Sequence, residues 1–356
     1  DGTARLWNPT TGRPLRKPIP VGSSVNAVAF SPDGKTLATG TDDGTARLWN
    51  PTTGRPPRVS AAIDLRADAL AVSPDGATVA TGTAAGQLQL WEAATGHPLH
   101  APIVAAPDPR IAQIPVKAVA FSPNGKALAV GTYDGAVRLW DPSSGKPVGA
   151  PYKADRGIPV FSLAFSPDGK VLAVGTSDGA VQLLDPATGR HLREPLTVVG
   201  NSIGASRLVW AVAFNADGTQ LATATGDGML RVWDSATGRP VGSPVTVTGD
   251  GTVAGALTFN PTGTTLALAT KNHIQFRDTA THLPVGLAIP VSAAPAALTF
   301  TRAGSELMIA TYDAVVRRVP TEPLTDPYKA LCTEVGAPDT QVWDNFAHGE
   351  TQPSTC

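Results

Sequence analysis

An all-β ring of repeated four-stranded sheets is the fold this 356-residue sequence predicts, and three observations predict it. An aromatic or apolar anchor recurs at Phe30, Val72, Phe121, Phe165, Phe214, Phe259 and Phe300, at intervals of 42, 49, 44, 49, 45 and 41 residues. Between anchors the apolar residues alternate with period two, the spacing of strands. Turn signals punctuate each unit: Pro32 presets one dihedral, Gly34 permits a positive φ, Asp43-Gly44 suits a two-residue hairpin, and Gly54 with Pro56 opens the last run. A meander of this kind cannot bury both faces alone. The units must stack radially around a channel, which gives a seven-bladed β-propeller.

Residues 2–19 supply half a unit: a third strand over 3–7, a turn at Thr11-Gly12 and a fourth strand over 14–19. In the first full unit Val25, Ala27 and Ala29 face one way and Asn26, Val28 and Phe30 the other, followed by strands over 37–41 and 46–49. The seventh unit supplies strands near 296–300, 306–310 and 315–319, then breaks at Pro320 and Pro323. Residues 1–20 are expected to add its fourth strand and remove two open edges. Two third strands then compete for one place. Arg318 stands where Leu48, Leu90, Leu139, Leu183 and Val232 stand elsewhere, so either 3–7 or 315–319 takes it.

The expected propeller covers 1–322, its closing blade shared between 1–20 and 294–322, and a helical tail over 323–356 packs on it. Asp326-Pro327 starts one short helix carrying Tyr328, Leu331 and Cys332, and Asp339 or Thr340 caps a second carrying Val342, Trp343 and Phe346. The repeats also decay. The Asp-Gly turn becomes Asn272-His273 and Asp313-Ala314, and the tryptophan becomes Leu184, Arg277 and Val319, so the sixth and seventh blades should be less regular.

The runs Arg47-Leu48-Trp49-Asn50, Arg138-Leu139-Trp140-Asp141 and Arg231-Val232-Trp233-Asp234, each behind an Asp-Gly turn and an earlier SPDG-like turn, resemble the tryptophan-aspartate (WD40) repeat. The resemblance spans roughly residues 1 to 320 and implies a protein-binding propeller. One departure stands out. Where the family usually has Gly-His before the first strand, this chain has Val21-Gly22-Ser23-Ser24, and no copy carries the histidine. The turn aspartates are then expected to fix only their own hairpins, with stability resting on apolar packing. The run from Lys329 to Gly336, with Trp343 and the terminal Ser354-Thr355-Cys356, resembles the end of actinobacterial WD-repeat proteins in which a signalling ATPase or kinase precedes the propeller.

Lysine and arginine number 28 against 29 acidic residues, so no global field attracts phosphate backbones or anionic lipid, and neither nucleic acid nor membrane is an expected partner. The 36 glycines and 33 prolines fall at periodic turns, as many short hairpins require. Cys332 and Cys356 are the only cysteines; they either bridge and pin the tail or stay reduced. The chain opens on Asp1-Gly2 in mid-repeat and reads as a piece of a longer protein, with a cytoplasmic location expected.

Catalytic motifs fail on inspection. Gly34-Lys35-Thr36 ends like a phosphate loop, but Ala29 stands where that loop needs glycine. Apart from His97 and His100 the histidines lack ligand spacing, and the first strands carry mostly Ala, Val and Leu. No catalytic residue, metal or cofactor is expected.

The positions that vary between otherwise similar units are where a repeat protein holds specificity. Four residues before each anchor lie Asn26, Asp68, Lys117, Phe161, Trp210, Gly255 and Ala296. At the turn between second and third strands lie Asp42, Ala84, Tyr133, Ser177, Gly226, Lys271 and Tyr312. Family resemblance puts both sets on the narrower, upper face. Trp210, Phe161, Tyr133 and Tyr312 are expected as partner anchors, with Arg66, Lys117 and Lys271 as charged rim and Asn26, Asp42 and Asp68 beside them; packing by longer loops is the bland alternative. The expected function is a non-catalytic protein-interaction scaffold or sensor regulating an upstream effector domain. Its partner would be a protein or peptide on the upper face, including an upstream domain of the same chain. A small-molecule or enzymatic propeller working through the channel and a self-assembling structural module are the competing classes.

Overall fold

The computed structural model describes residues 3–4, 19–20, 23, 25–31, 36–50, 60–62, 66–106, 113–153, 157–198, 208–247, 256–270, 273–286, 288–291, 295–300, 306–311 and 316–320. The strands β1 (Thr3–Ala4) and β2 (Ile19–Pro20) pair antiparallel. The first four-stranded sheet is β3 (Val25–Phe30), β4 (Leu37–Thr41), β5 (Thr45–Trp49) and β6 (Ser60–Ala62). The second is β7 (Ala67–Val72), β8 (Thr78–Thr83), β9 (Gln87–Glu92) and β10 (Ile103–Val104), and the third β11 (Val116–Phe121), β12 (Leu128–Thr132), β13 (Ala136–Asp141) and β14 (Lys146–Lys153). The fourth is β15 (Val160–Phe165), β16 (Leu172–Thr176), β17 (Ala180–Leu184) and β18 (Leu196–Thr197), and the fifth β19 (Val209–Phe214), β20 (Gln220–Thr225), β21 (Met229–Asp234) and β22 (Pro240–Thr246). The sixth is β23 (Ala256–Phe259), β24 (Thr265–Ala269), β25 (His273–Asp278) and β26 (Ile289–Pro290). The last has three described strands, β27 (Pro295–Phe300), β28 (Glu306–Thr311) and β29 (Val316–Pro320).

The first strands touch in a cycle: β3 packs on β7, β7 on β11, β11 on β15, β15 on β19, β19 on β23, β23 on β27, and β27 returns to β3. The sheets therefore close into a β-propeller. Because each sheet lies between two others, its second strand is covered on both faces, and β4, β12, β16 and β24 are buried at every residue. This is why those strands read LATGT, LAVGT or TLALA, small or apolar at every step, rather than alternating with charge.

In the last sheet β29 pairs with β28 through Leu307 opposite Val319, so residues 316–320 take the third place, while Thr3–Ala4 pair with Ile19–Pro20. Completion of that sheet by residues 1–20 falls largely outside the described residues, as do the tail 323–356, Cys332 and Cys356. The sixth sheet keeps four strands, but its first is short, and Arg277 stands opposite Leu266 where Trp49 stands opposite Leu37.

The hairpin aspartates do fix their own turns. Asp134 Oδ1 accepts from Thr132 Oγ1 at 2.5 Å and from Ala136 N at 3.2 Å, and Asp178 Oδ1 accepts from Thr176 Oγ1 at 2.6 Å and Ala180 N at 3.2 Å. The following glycines have positive φ, 82° at Gly135 and 85° at Gly179, which a side chain would resist.

Candidate functional site

One end of the propeller is built by a backbone device. In six first strands the pairing register shifts at a single residue: at Asn26 in β3, Asp68 in β7, Lys117 in β11, Phe161 in β15, Trp210 in β19 and Ala296 in β27. An extra residue in an antiparallel pair is a β-bulge, which bends the strand and re-aims the bulged side chain. The end of the adjoining hairpin is tied down beside it. Tyr133 N donates to Pro115 O at 2.9 Å, Ser177 N to Pro159 O at 3.0 Å and Gly226 N to Leu208 O at 2.9 Å. Bulge residues and hairpin-turn residues of neighbouring sheets therefore come together on one rim.

Over the first three sheets the rim is polar and continuous. Asn26 Nδ2 donates to Asp42 Oδ1 at 2.6 Å, and Arg66 Nε lies 3.6 Å from the same oxygen. Arg66 Nε also donates to Asp68 Oδ1 at 2.7 Å, and Lys117 Nζ to Asp68 Oδ2 at 2.6 Å. The Asp68 side chain is only 6% exposed, each carboxylate oxygen taken by a cation. A carboxylate this covered requires such pairing.

Over the third to fifth sheets the rim becomes aromatic. Tyr133 and Phe161 meet edge to face with centroids 6.4 Å apart, and Phe161 and Trp210 do the same at 5.3 Å. Both spacings lie in the range where aromatic pairs attract beyond simple burial. Tyr133 is 51% exposed, while Phe161 and Trp210 are half-buried, and Trp210 Nε1 is covered without a hydrogen-bond partner among the described residues. The two arcs meet at the third sheet, which contributes both Lys117 and Tyr133.

Eight of the ten expected residues are thus brought into one arc: Asn26, Asp42, Arg66, Asp68, Lys117, Tyr133, Phe161 and Trp210. Lys271 and Tyr312 lie outside the described residues. Asp68 differs from a solvent-facing rim charge, being the buried hub between two cations. In the second and fourth sheets the fourth strand breaks after its first pair and resumes several residues later, as β10 and β18. Sequence reasoning missed two seam residues, His100, whose Nε2 is 3.1 Å from Pro142 O, and Arg193, whose guanidinium donates to Ala236 O. A long polar residue after the fourth-strand start was the available signal.

Among the described residues no three or more His, Cys, Asp or Glu side chains cluster as metal ligands, and no helix is long and apolar enough to cross a membrane.

Comparison with known families agrees with this geometry. Residues 16–50, 112–141 and 195–234 match the WD40 family model (WD domain, G-beta repeat). Residues 151–203 match the family model of the anaphase-promoting complex subunit 4 WD40 domain. No curated protein matches the chain.

Proposed function

We propose that this chain, a β-propeller carrying WD40 repeats, is a non-catalytic protein-interaction module whose working surface is the rim running from Asn26 to Trp210. WD40 repeat domains generally serve as protein-interaction scaffolds. The observation that carries the assignment to this rim is the unbroken side-chain arc, in which a paired charged half adjoins the aromatic row Tyr133–Phe161–Trp210. Aromatic side chains held rigid by edge-to-face contact cost little entropy on binding and supply anchoring area. The charged half contributes selection: Arg66 and Asp42 are exposed, while the buried Asp68 holds Arg66 and Lys117 in fixed directions. First strands such as VNAVAF and VWAVAF favour this reading over chemistry in the channel.

The finer parts of the reading belong to the same proposal. Residues 1–322 form the propeller and 323–356 a helical tail packed on it, the closing sheet is completed from residues 1–20, and the module regulates an upstream effector domain, with Lys271 and Tyr312 extending the rim.

The test is an affinity capture from the source cell extract comparing the unaltered chain with Tyr133→Ala/Trp210→Ala, both shown to be folded by circular dichroism. Partners retained by the first and lost by the second support the rim. Identical partners on both would move the function to the tail or another face. Lys117→Ala should weaken capture without abolishing it, and most visibly at low salt, because a rim charge acts through a screened field.

A further inference from the structure

Tryptophan fills three of the described seams and Arg277 stands in its place between the fifth and sixth sheets, but the seam between the third and fourth sheets has neither. Trp91 packs with Ala38, Ala46 and Leu48 of the sheet before it, Trp140 with Leu88 and Leu90, and Trp233 with Val181 and Leu183. At the seam between the third and fourth sheets that place belongs to Leu184, which lies opposite Leu172 as Trp140 lies opposite Leu128. A second filler is missing at the same seam. His100 stands two residues past the Trp91–Pro98 bridge and reaches Pro142 O, and Arg193 stands two past the Leu184–His191 bridge and reaches Ala236 O. Two residues past the Trp140–Pro147 pair stands Gly149, and a Cβ there would meet nothing within 4 Å.

Loss of both the indole and the covering side chain leaves a cleft of about 110 Å³, lined by Val137, Leu139, Leu172, Leu184, Val148 and Tyr152 and by the turn over 185–189. Val148 is 44% exposed beside it. Tyr152 is held by its neighbours: its hydroxyl bonds Gln182 Oε1 and lies 2.9 Å from His191 Nε2, and its ring meets His191 edge to face at 5.1 Å.

We infer that this cleft is a binding pocket for a single six-membered aromatic ring, carried by a small monocyclic molecule or by a phenylalanine side chain. The chain itself shows the kind of group that fits, since an aromatic occupies the same place at three other seams. The size agrees: a dry apolar cavity of about 150 Å³ holds benzene, so a slightly smaller one with an open side takes a ring inserted edge first. A nucleotide or larger metabolite needs about 300 Å³ or more and is excluded. Tyr152 offers the incoming ring an aromatic neighbour whose orientation is already fixed. The pocket is independent of the rim proposed above.

The experiment is a fluorine NMR titration of the full chain with 4-fluorobenzyl alcohol and, separately, with N-acetyl-4-fluorophenylalaninamide, alongside methyl-labelled spectra that follow Val148 and Leu184. Saturable binding that shifts those methyls is expected, with a dissociation constant in the millimolar range. Tighter binding of the alcohol assigns the pocket to a free aromatic molecule; equal or tighter binding of the amide assigns it to a phenylalanine side chain. Leu184→Trp/Val174→Thr rebuilds the filled seam and should lower affinity about tenfold or more. Absence of binding by both probes, or unchanged affinity in the filled variant, overturns the inference. If that variant does not fold, methyl shifts that avoid Val148 and Leu184 in the unaltered chain overturn it equally.

Discussion

Trp49, Trp91 and Trp233 each donate Nε1–H to a threonine of the second strand: Thr39 Oγ1 at 2.9 Å, Thr81 Oγ1 at 3.0 Å and Thr223 Oγ1 at 3.1 Å. Each hydroxyl in turn faces a third-strand carbonyl, Arg47 O at 3.4 Å, Gln89 O at 3.3 Å and Arg231 O at 3.4 Å. Trp140 has Val130 at that position, and its Nε1 is buried without a partner. A buried donor left unpaired costs more than a hydrogen bond gains. Val130→Thr, nearly the same shape, should therefore raise stability by about 1 kcal/mol. The same swap at Val174, which stands ten residues before Leu184 as Val130 stands before Trp140, meets no indole N–H and should give no such gain. Urea midpoints of the two variants check this, and a lower midpoint for Val130→Thr would refute it. The tryptophans were plain in the sequence, as was the substitution by Leu184. Their threonine partners were not, since a cross-strand pair depends on a register that a period-two pattern leaves open.

At the scale of the element, close approach of neighbouring sheets is set by glycines in the second strands. A Cβ on Gly40 would lie 2.8 Å from the Cβ of Ala67, and one on Gly131 would lie 2.5 Å from Val160 Cγ1, both residues opening the first strand of the next sheet. Gly131→Ala should cost about 1–3 kcal/mol through overpacking. Val160→Ala added to it should recover part of that loss, with a coupling of about 0.5 kcal/mol or more in a thermal-denaturation cycle. Full additivity would show that the two sheets accommodate the methyl elsewhere. Strands, turns and their order were legible because hairpin chemistry is local: Asp43-Gly44 or Ser166-Pro167-Asp168-Gly169 states its own conformation. The bulges at Asn26, Asp68, Lys117, Phe161 and Trp210 were not legible, because a bulge appears only when two strands are paired. Varying residues at one strand position marked the rim. That Asp68 would be its buried hub followed only from two cations arriving from different sheets.

For the whole molecule, turn geometry rests repeatedly on carboxylates, and this sets the pH at which the ring fails. Hydrogen bonds from Ser143 and Ser144 lower Asp141 to about 2. Ser73 does the same in direction for Asp75, Ser166 for Asp168, Thr188 for Asp185, Thr219 for Asp217 and Thr237 for Asp234, in each case with a backbone N–H. Each folded pKa lies below the unfolded value, so the folded state binds fewer protons and the contribution to stability is complete above that value, about 3.9. It falls as pH drops through the folded pKa, toward about 2 for Asp141. These groups lie near the surface, so each contributes little alone. Their effect comes from repetition around a closed ring that unfolds cooperatively once several hairpins loosen. Urea midpoints should hold nearly level from pH 7 to about 5 and then fall steeply toward about 2.5. Asp141→Asn should start from a lower midpoint at pH 7 and fall less steeply, since asparagine cannot take up the proton. A midpoint that rises or stays level on acidification below about 4 would show that the turn carboxylates do not govern acid stability.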